Sequence, residues 1–234
     1  MKPPLAEAPE PVVSIAIQLA DVTAGYRDGD AVLAGVTLDL APGATAIVNG
    51  PPGAGKSTLL HVLRAALTPR GGQARLLGSD VAALPQRVRA ALKQRIGYVA
   101  QAPLLFEDAS AFDNVAAPLK LAAAPAARAG DVNDLMSYLG LADIAARPAQ
   151  ALSHVQRRLV AIARAFVIRP DILIADEPLA GLGADAAGRV LRLMSEMARQ
   201  RAAVVIATQS PDLFTALPAG HWRLERGRLA AAPA

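Results

Sequence analysis

An α/β fold that begins in β structure and carries an inserted helical lobe is what this sequence predicts, on three observations. "GPPGAGKS" (50–57) sits between an apolar strand pattern and a helix. "DILIADEP" (171–178) is a near-continuous apolar run, as a strand buried on both sheet faces should be. Between the two, from about Ala102 to Phe166, the pattern is helical and holds no convincing strand.

Element by element, residues 1–14 read as a disordered, proline-rich polar tail, with no basic start followed by an apolar stretch and so no signal peptide; residues 15–234 form one domain. "SIAIQLADVTAGY" alternates apolar and polar residues like an edge strand. "GDAVLAGVTLDLAPGATAIVNG" gives two more strands split by a Pro-Gly turn. After the glycine loop, a helix beginning at Ser57 continues as "TLLHVLRAAL", stopped by Pro69 and a Gly71-Gly72 turn before a strand at "QARLLG". "LPQRVRAALKQR" is a helix and "IGYVAQ" a short strand. The helical lobe, about 102–166, is expected to break at Pro118, Pro125 and Pro148. The strand "DILIADEP", the helix "DAAGRVLRLMSEMARQR", the strand "AAVVIATQ" and a short closing "HWRLERGRLA" complete the core, without internal repeats.

Composition narrows the function classes. Apolar residues reach 53%, but aromatics only 3% and alanine supplies much of the rest, which indicates small-residue packing and alanine-rich helices. No apolar run approaches the roughly 18 residues a membrane span needs. The absence of cysteine excludes a disulfide framework and fits a cytoplasmic protein. A net charge of +4 without a dense basic block gives no case for nucleic acid, so a cassette acting on DNA or ribosomes is disfavoured.

The chemistry sits in a few short stretches. Gly50, Pro51, Pro52, Gly53, Ala54, Gly55, Lys56 and Ser57 fit the phosphate loop G-x-x-x-x-G-K-[ST], with Thr58 next in the helix. Such a loop wraps phosphates in backbone N–H groups, adds a helix N-terminus, and offers Lys56 to the β- and γ-phosphates and the Ser57 hydroxyl to Mg²⁺. Asp176 ends an apolar strand beside that Mg²⁺ position, and Glu177 next to it is placed to activate a water. His61 and His221 have no carboxylate or cysteine at ligand spacing and read as structural. The arginines of "QRRLVAIAR" (156–164) read as a solvated helix face, with a contact between subunits as the alternative.

Taken in order, the phosphate loop, Gln101 after "IGYVA", a helical lobe, "LSHVQRRLVAIARA" and "ILIADEP" resemble the ATP-binding cassette (ABC) ATPases over about residues 15–229. The resemblance implies a P-loop NTPase core of ABC type, with an N-terminal antiparallel β subdomain and an inserted α-helical subdomain. It implies ATP and Mg²⁺ as cofactors, with Ser57, Gln101 and Asp176 at the metal, Glu177 polarising the attacking water and Tyr26 stacking on adenine. It also implies a dimer in which a helix opening Leu-Ser-Gly-Gly-Gln caps the γ-phosphate of an ATP held by the other subunit, whether an identical copy or a paired nucleotide-binding subunit.

Here Ser153 and Gln156 match that opening, while His154 and Val155 stand at the two glycines. A Cβ there holds the backbone back from a phosphate, although His154 brings a donor of its own. Gly183 replaces the aspartate of the loop after Glu177, and Gln209 replaces the switch histidine. These departures weaken the case for fast hydrolysis and leave binding intact.

"LPQRVRAALKQRIGYVAQAPLLFEDASAFDNVAAPLKLA" is most similar to the FtsE-type cell-division subunits, and more broadly to the lipoprotein-release and macrolide-export cassettes. That likeness implies a peripheral protein on the cytoplasmic face of the bacterial inner membrane, docked beside Gln101 onto an FtsX-type permease and signalling to cell-wall hydrolases. A hydrolysis-impaired ATP-binding switch, or the ATPase of a related lipoprotein-release or export transporter, are the alternatives.

Overall fold

The computed structural model of the chain describes residues 15–26, 29–121 and 129–232; the proline-rich tail and Pro125 lie outside them. Two sheets carry the fold. Strands β1 (Ile17–Ala24), β2 (Leu33–Leu40), β4 (Gly71–Leu76) and β5 (Ser79–Asp80) form an antiparallel sheet in the order β2-β1-β4-β5. Strands β3 (Thr45–Asn49), β6 (Ile96–Val99), β7 (Ile172–Asp176), β8 (Ala203–Thr208), β9 (Gly220–Glu225) and β10 (Arg228–Ala231) form the second, in the order β10-β9-β3-β8-β7-β6. All pairs of the second sheet are parallel except β9–β10. The helices are α1 (Lys56–Leu63), α2 (Gln86–Lys93), α3 (Ala111–Leu121), α4 (Ala129–Leu139), α5 (His154–Phe166) and α6 (Ala184–Arg199).

Alternate residues of the central strands feed two separate cores, which is why those strands are apolar throughout. Ile47, Leu173, Ala175, Val204 and Ile206 pack with the helical side, α3 to α6. Ala46, Val48, Ile172, Ile174, Ala203 and Val205 pack with α1 and the antiparallel sheet. Burying a leucine- or valine-sized side chain in this way contributes about 1.5–3 kcal/mol.

The fold class is the one the sequence predicts, with local corrections. β1 is not an edge strand, since it pairs with both β2 and β4. Its alternation reports one solvated face, which a central antiparallel strand shares with an edge strand. α1 begins at Lys56 and stops at Leu63, well before Pro69. Ala65 turns to φ 53° and donates to Val62 O at 2.9 Å, closing the helix locally. Gly71 and Gly72 open β4 instead of forming a separate turn. Pro118 lies inside α3 and does not end it. The closing segment is a hairpin whose first strand lengthens the parallel sheet beside β3.

The order of strands positions the site. β8 lies between β3 and β7, so the phosphate loop, the Asp176-Glu177 pair and Thr208-Gln209 all leave the same carboxyl-terminal edge of the sheet. In parallel α/β sheets that edge is where ligands bind.

Candidate nucleotide site

The loop between β3 and α1 is shaped by its glycines. A Cβ at Gly50 would lie 2.1 Å from Leu224 O, so no side chain fits there while β9 packs behind the loop. Lys56, 9% exposed, donates from Nζ to Gly50 O at 2.6 Å and to Pro51 O at 3.1 Å, keeping its ammonium over the loop. Gly55 precedes α1 without a side-chain cap, leaving the first amides of that helix free for an anion.

Across the cavity, Ser57 Oγ donates to Asp176 Oδ2 at 3.2 Å. Burial pushes the Asp176 carboxyl above its ordinary range, and the Glu177 charge acts the same way; the Ser57 hydrogen bond, Lys56 and His61 oppose them. A cation between these groups would relieve that cost. No cluster of three or more His, Cys, Asp or Glu exists among the described residues. A hydroxyl and one carboxylate therefore fit a hard ion that draws its other oxygens from phosphate and water, as Mg²⁺ does.

Glu177 is the most constrained residue of the site. Its backbone takes φ 47°, a left-handed value uncommon outside glycine, and its N–H donates to Ala207 O at 2.9 Å. Its carboxylate accepts from the Thr208 hydroxyl at 2.9 Å and from the Gln209 N–H at 2.6 Å.

Tyr26, Pro52, Gly53, Ala54, Gly55, Lys56, Ser57, Thr58, Gln101, Asp176, Glu177 and Gln209 line one cavity of about 410 Å³, within the range of small-molecule sites. Gly50 and Pro51 line a neighbouring space of about 270 Å³ with Asn49, Gln209 and Arg223. Ser153, His154 and Gln156 line neither and stand at the exposed start of α5. There Ser153 Oγ accepts from Gln156 N at 3.3 Å and Gln156 Oε1 accepts from Ser153 N at 2.9 Å, a complete capping box. The cap tolerates His154 and Val155 behind it because both side chains point to solvent, Val155 being 37% exposed. Gly183 is the N-cap of α6 and supplies no capping side chain.

Several residues of this region escape a reading of the sequence. His61 Nδ1 lies 2.9 Å from the Tyr26 hydroxyl, with the rings edge to face. The solvated-face reading of "QRRLVAIAR" fails. Arg158 is 5% exposed and Arg157 is bidentate to Glu107 at 2.7 and 2.5 Å. The signal was present, since Arg158 stands three, four and seven residues before the buried Ala161, Ile162 and Ala165. Asn114, fully buried, accepts from Phe106 N at 2.8 Å and donates to Phe106 O at 3.0 Å, fixing the loop between Gln101 and α3.

Similarity to known proteins agrees with this geometry. Residues 33–180 match the family model described as ABC transporter. The chain is 39% identical over 213 residues to the lipoprotein-releasing system ATP-binding protein LolD 1 of Caulobacter vibrioides, covering 87% of this chain and 90% of that protein. It is 35% identical over 204 residues to the cell division ATP-binding protein FtsE of Escherichia coli, covering 85% and 90%. It is 36% identical over 203 residues to the macrolide export ATP-binding/permease protein MacB of Marinobacter nauticus, covering 84% of this chain but 31% of that protein. In fold it resembles the dimeric, post-hydrolysis structure of an ATP-binding cassette bound to ADP and Pi, with a TM-score of 0.85, 24% identity, and coverage of 93% of this chain and 99% of that one. With these relatives and a family match over more than half its length, the chain belongs to the ABC transporter family, as an ATP-binding cassette ATPase domain.

Proposed function

We propose that this protein binds Mg-ATP in the cavity between β3 and β7, hydrolyses it as a dimer, and uses the cycle to move a permease-type membrane partner. The observation that carries the reading is the 3.2 Å approach of Ser57 Oγ to Asp176 Oδ2, beside Lys56 and Glu177 in one cavity. Lys56 holds the β- and γ-phosphates, Ser57 and Asp176 hold Mg²⁺ with Gln101, and Tyr26 stacks on the base. Bound there, Mg²⁺ neutralises charge developing on the phosphates. Glu177 orients and polarises the attacking water, and Gln209 faces the γ-phosphate in the role of the missing histidine. Ser153, His154 and Gln156 reach the nucleotide of the second subunit, which agrees with their position outside this chain's own cavity.

No helix among the described residues is long and apolar enough to cross a membrane; in this reading the inner membrane is reached through the permease-type partner. Leu104 and Phe106, 71% and 62% exposed just after Gln101, support a docking contact there. Within the family, an FtsX-type partner and a role in cell division rest on the segment around Gln101. Lipoprotein release is the second reading, favoured by the 39% identity to LolD 1. A switch that binds ATP without turning it over is a third, favoured by the two donors that occupy the Glu177 carboxylate together with His154, Val155 and Gln209.

The test is steady-state Mg-ATP turnover of the protein co-purified with its permease, with Lys56→Ala as background. Turnover abolished by that change supports the motor; nucleotide binding without turnover supports the switch; neither binding nor turnover refutes the assignment.

A further inference from the structure

Where the β6–β7 ladder ends, a side chain takes over from it. The last register pair is Val99 with Ala175; beyond it the chain leaves β6 toward Gln101 and leaves β7 through Asp176 to Glu177. Arg158, on the second turn of α5, bridges the two exits, donating from one guanidinium nitrogen to Gln101 O at 2.7 Å and from the other to Glu177 O at 3.0 Å. Its Nε is buried without a partner, and no carboxylate forms an ion pair with it among the described residues. Burial pulls its pKa down, against the nearby charges of Glu177 and Asp176. A buried guanidinium held only by carbonyls is a costly way to stabilise a fold, since apolar groups of the same volume serve packing as well or better. What the fork supplies is geometry, two parallel donors in one rigid plane.

Both recipients need holding. Glu177 keeps φ 47°, a strained left-handed value for a non-glycine residue, only because its surroundings enforce it. Gln101 lies past the end of its strand. α5 itself is seated firmly on β6, since a Cβ at Gly97 would lie 2.4 Å from Ala165 O.

We infer that Arg158 is a positioning residue for hydrolysis: it fixes the backbone of Gln101 and Glu177 so that their side chains face the nucleotide, and ties both to the helix whose first turn carries Ser153 to Gln156. The role rests on the ATPase reading above. Its consequence is that a contact made at the start of α5 is felt at Glu177 of the same chain.

The test compares Arg158→Met, Arg158→Gln and Arg158→Lys with the unchanged full chain in Mg-ATP turnover, affinity for a fluorescent ATP analogue, and hydrogen exchange. A fall in turnover of about tenfold or more is expected for Arg158→Met, with a partial return in Arg158→Lys, which retains the charge and donors but not the planar fork. Affinity stays within about twofold, because no phosphate contact is lost. Exchange rises just after Gln101 and after Glu177 but not in α1. Unchanged turnover in Arg158→Met, or equal loss of affinity and turnover with faster exchange throughout the core, overturns the role. If Arg158→Met does not fold, Arg158→Lys and Arg158→Gln decide, and wild-type turnover in both overturns it. If the unchanged protein does not hydrolyse ATP, the ATPase reading fails separately. The exchange pattern still judges Arg158, a local rise supporting the anchoring and no local rise overturning it.

Discussion

Ser57 Oγ and Asp176 Oδ2, 119 residues apart in the chain, meet at 3.2 Å in one cavity, where Asp176 is buried. The Asp176 carboxyl is raised by burial above its ordinary 3.8, so its contribution to stability is present below pH 3.8 and lost as pH rises through the folded-state value. At neutral pH the buried charge is a cost. Asp176→Asn is expected to raise the melting temperature of the nucleotide-free protein by about 2–4 °C for each kcal/mol relieved, while removing Mg²⁺-dependent tightening of ATP. Calorimetry with and without Mg-ATP checks both signs; a lower melting point without ligand would show that Asp176 is not strained.

Glu177 is held by five hydrogen bonds, two to its carbonyl from Arg158 and Ala180, one from its N–H and two to its carboxylate, and faces the same cavity. Glu177→Gln preserves most of that geometry and removes the carboxylate's ability to polarise water. Turnover is expected to fall by about 10²–10⁴-fold, with nucleotide affinity retained or improved. Single-turnover kinetics with bound ATP would detect the alternative, an unchanged chemical step.

The Tyr26 hydroxyl and His61 Nδ1 meet at 2.9 Å where Tyr26 lines the cavity. A neutral imidazole with its proton on Nε2 accepts from that hydroxyl, while a ring carrying a proton on Nδ1 donates to the hydroxyl oxygen instead. Burial, and next the Arg64 charge, hold the His61 pKa below 6.5, against a smaller pull from Asp176. The unfolded chain therefore takes up the proton first. The His61 contribution is present above pH 6.5 and lost as pH falls from 6.5 to the lowered folded-state value. Melting temperature should decline across that window, and His61→Gln should flatten the decline. A slope unchanged in the variant assigns it to other groups.

His154 and Val155 act in opposite directions on stability and turnover. Replacing both by glycine removes two side chains at the exposed first turn of α5 and costs up to about 1 kcal/mol per position in helix stability. If their Cβ atoms hold the helix back from a second subunit's phosphate, the same change raises turnover of the assembled complex several-fold. Thermal melts and turnover on one preparation separate the effects, and a double variant that is less stable and no faster shows that the site already tolerates both residues.

Much of the candidate site is legible in the sequence because its parts are local. A phosphate loop is eight consecutive residues whose glycines, lysine and serine are set by one strand-loop-helix turn, and Asp176 and Glu177 are adjacent residues at one strand end. The opening strands, the buried core strand and the helical insertion follow from hydropathy patterns of two and 3.6 residues and a continuous apolar run, while the antiparallel pairing at the front is implied only by the family resemblance. Periodicity reports which face is wet, and so it misplaced β1 at an edge; hydropathy treats arginine as solvent-loving, and so it put Arg158 outside.

By itself, then, the sequence determined the fold class, the phosphate loop, the carboxylate pair and the departures at His154, Val155, Gly183 and Gln209. Tertiary structure alone decided that β8 separates β3 from β7 and brings Ser57 to Asp176, that His61 supports Tyr26, and that Arg158 closes the gap between two strand ends. The physical reason is range. Backbone propensity and hydropathy act over a few residues, whereas a buried polar group is satisfied by whatever carbonyl or hydroxyl the packed chain brings within about 3 Å, at any separation in sequence.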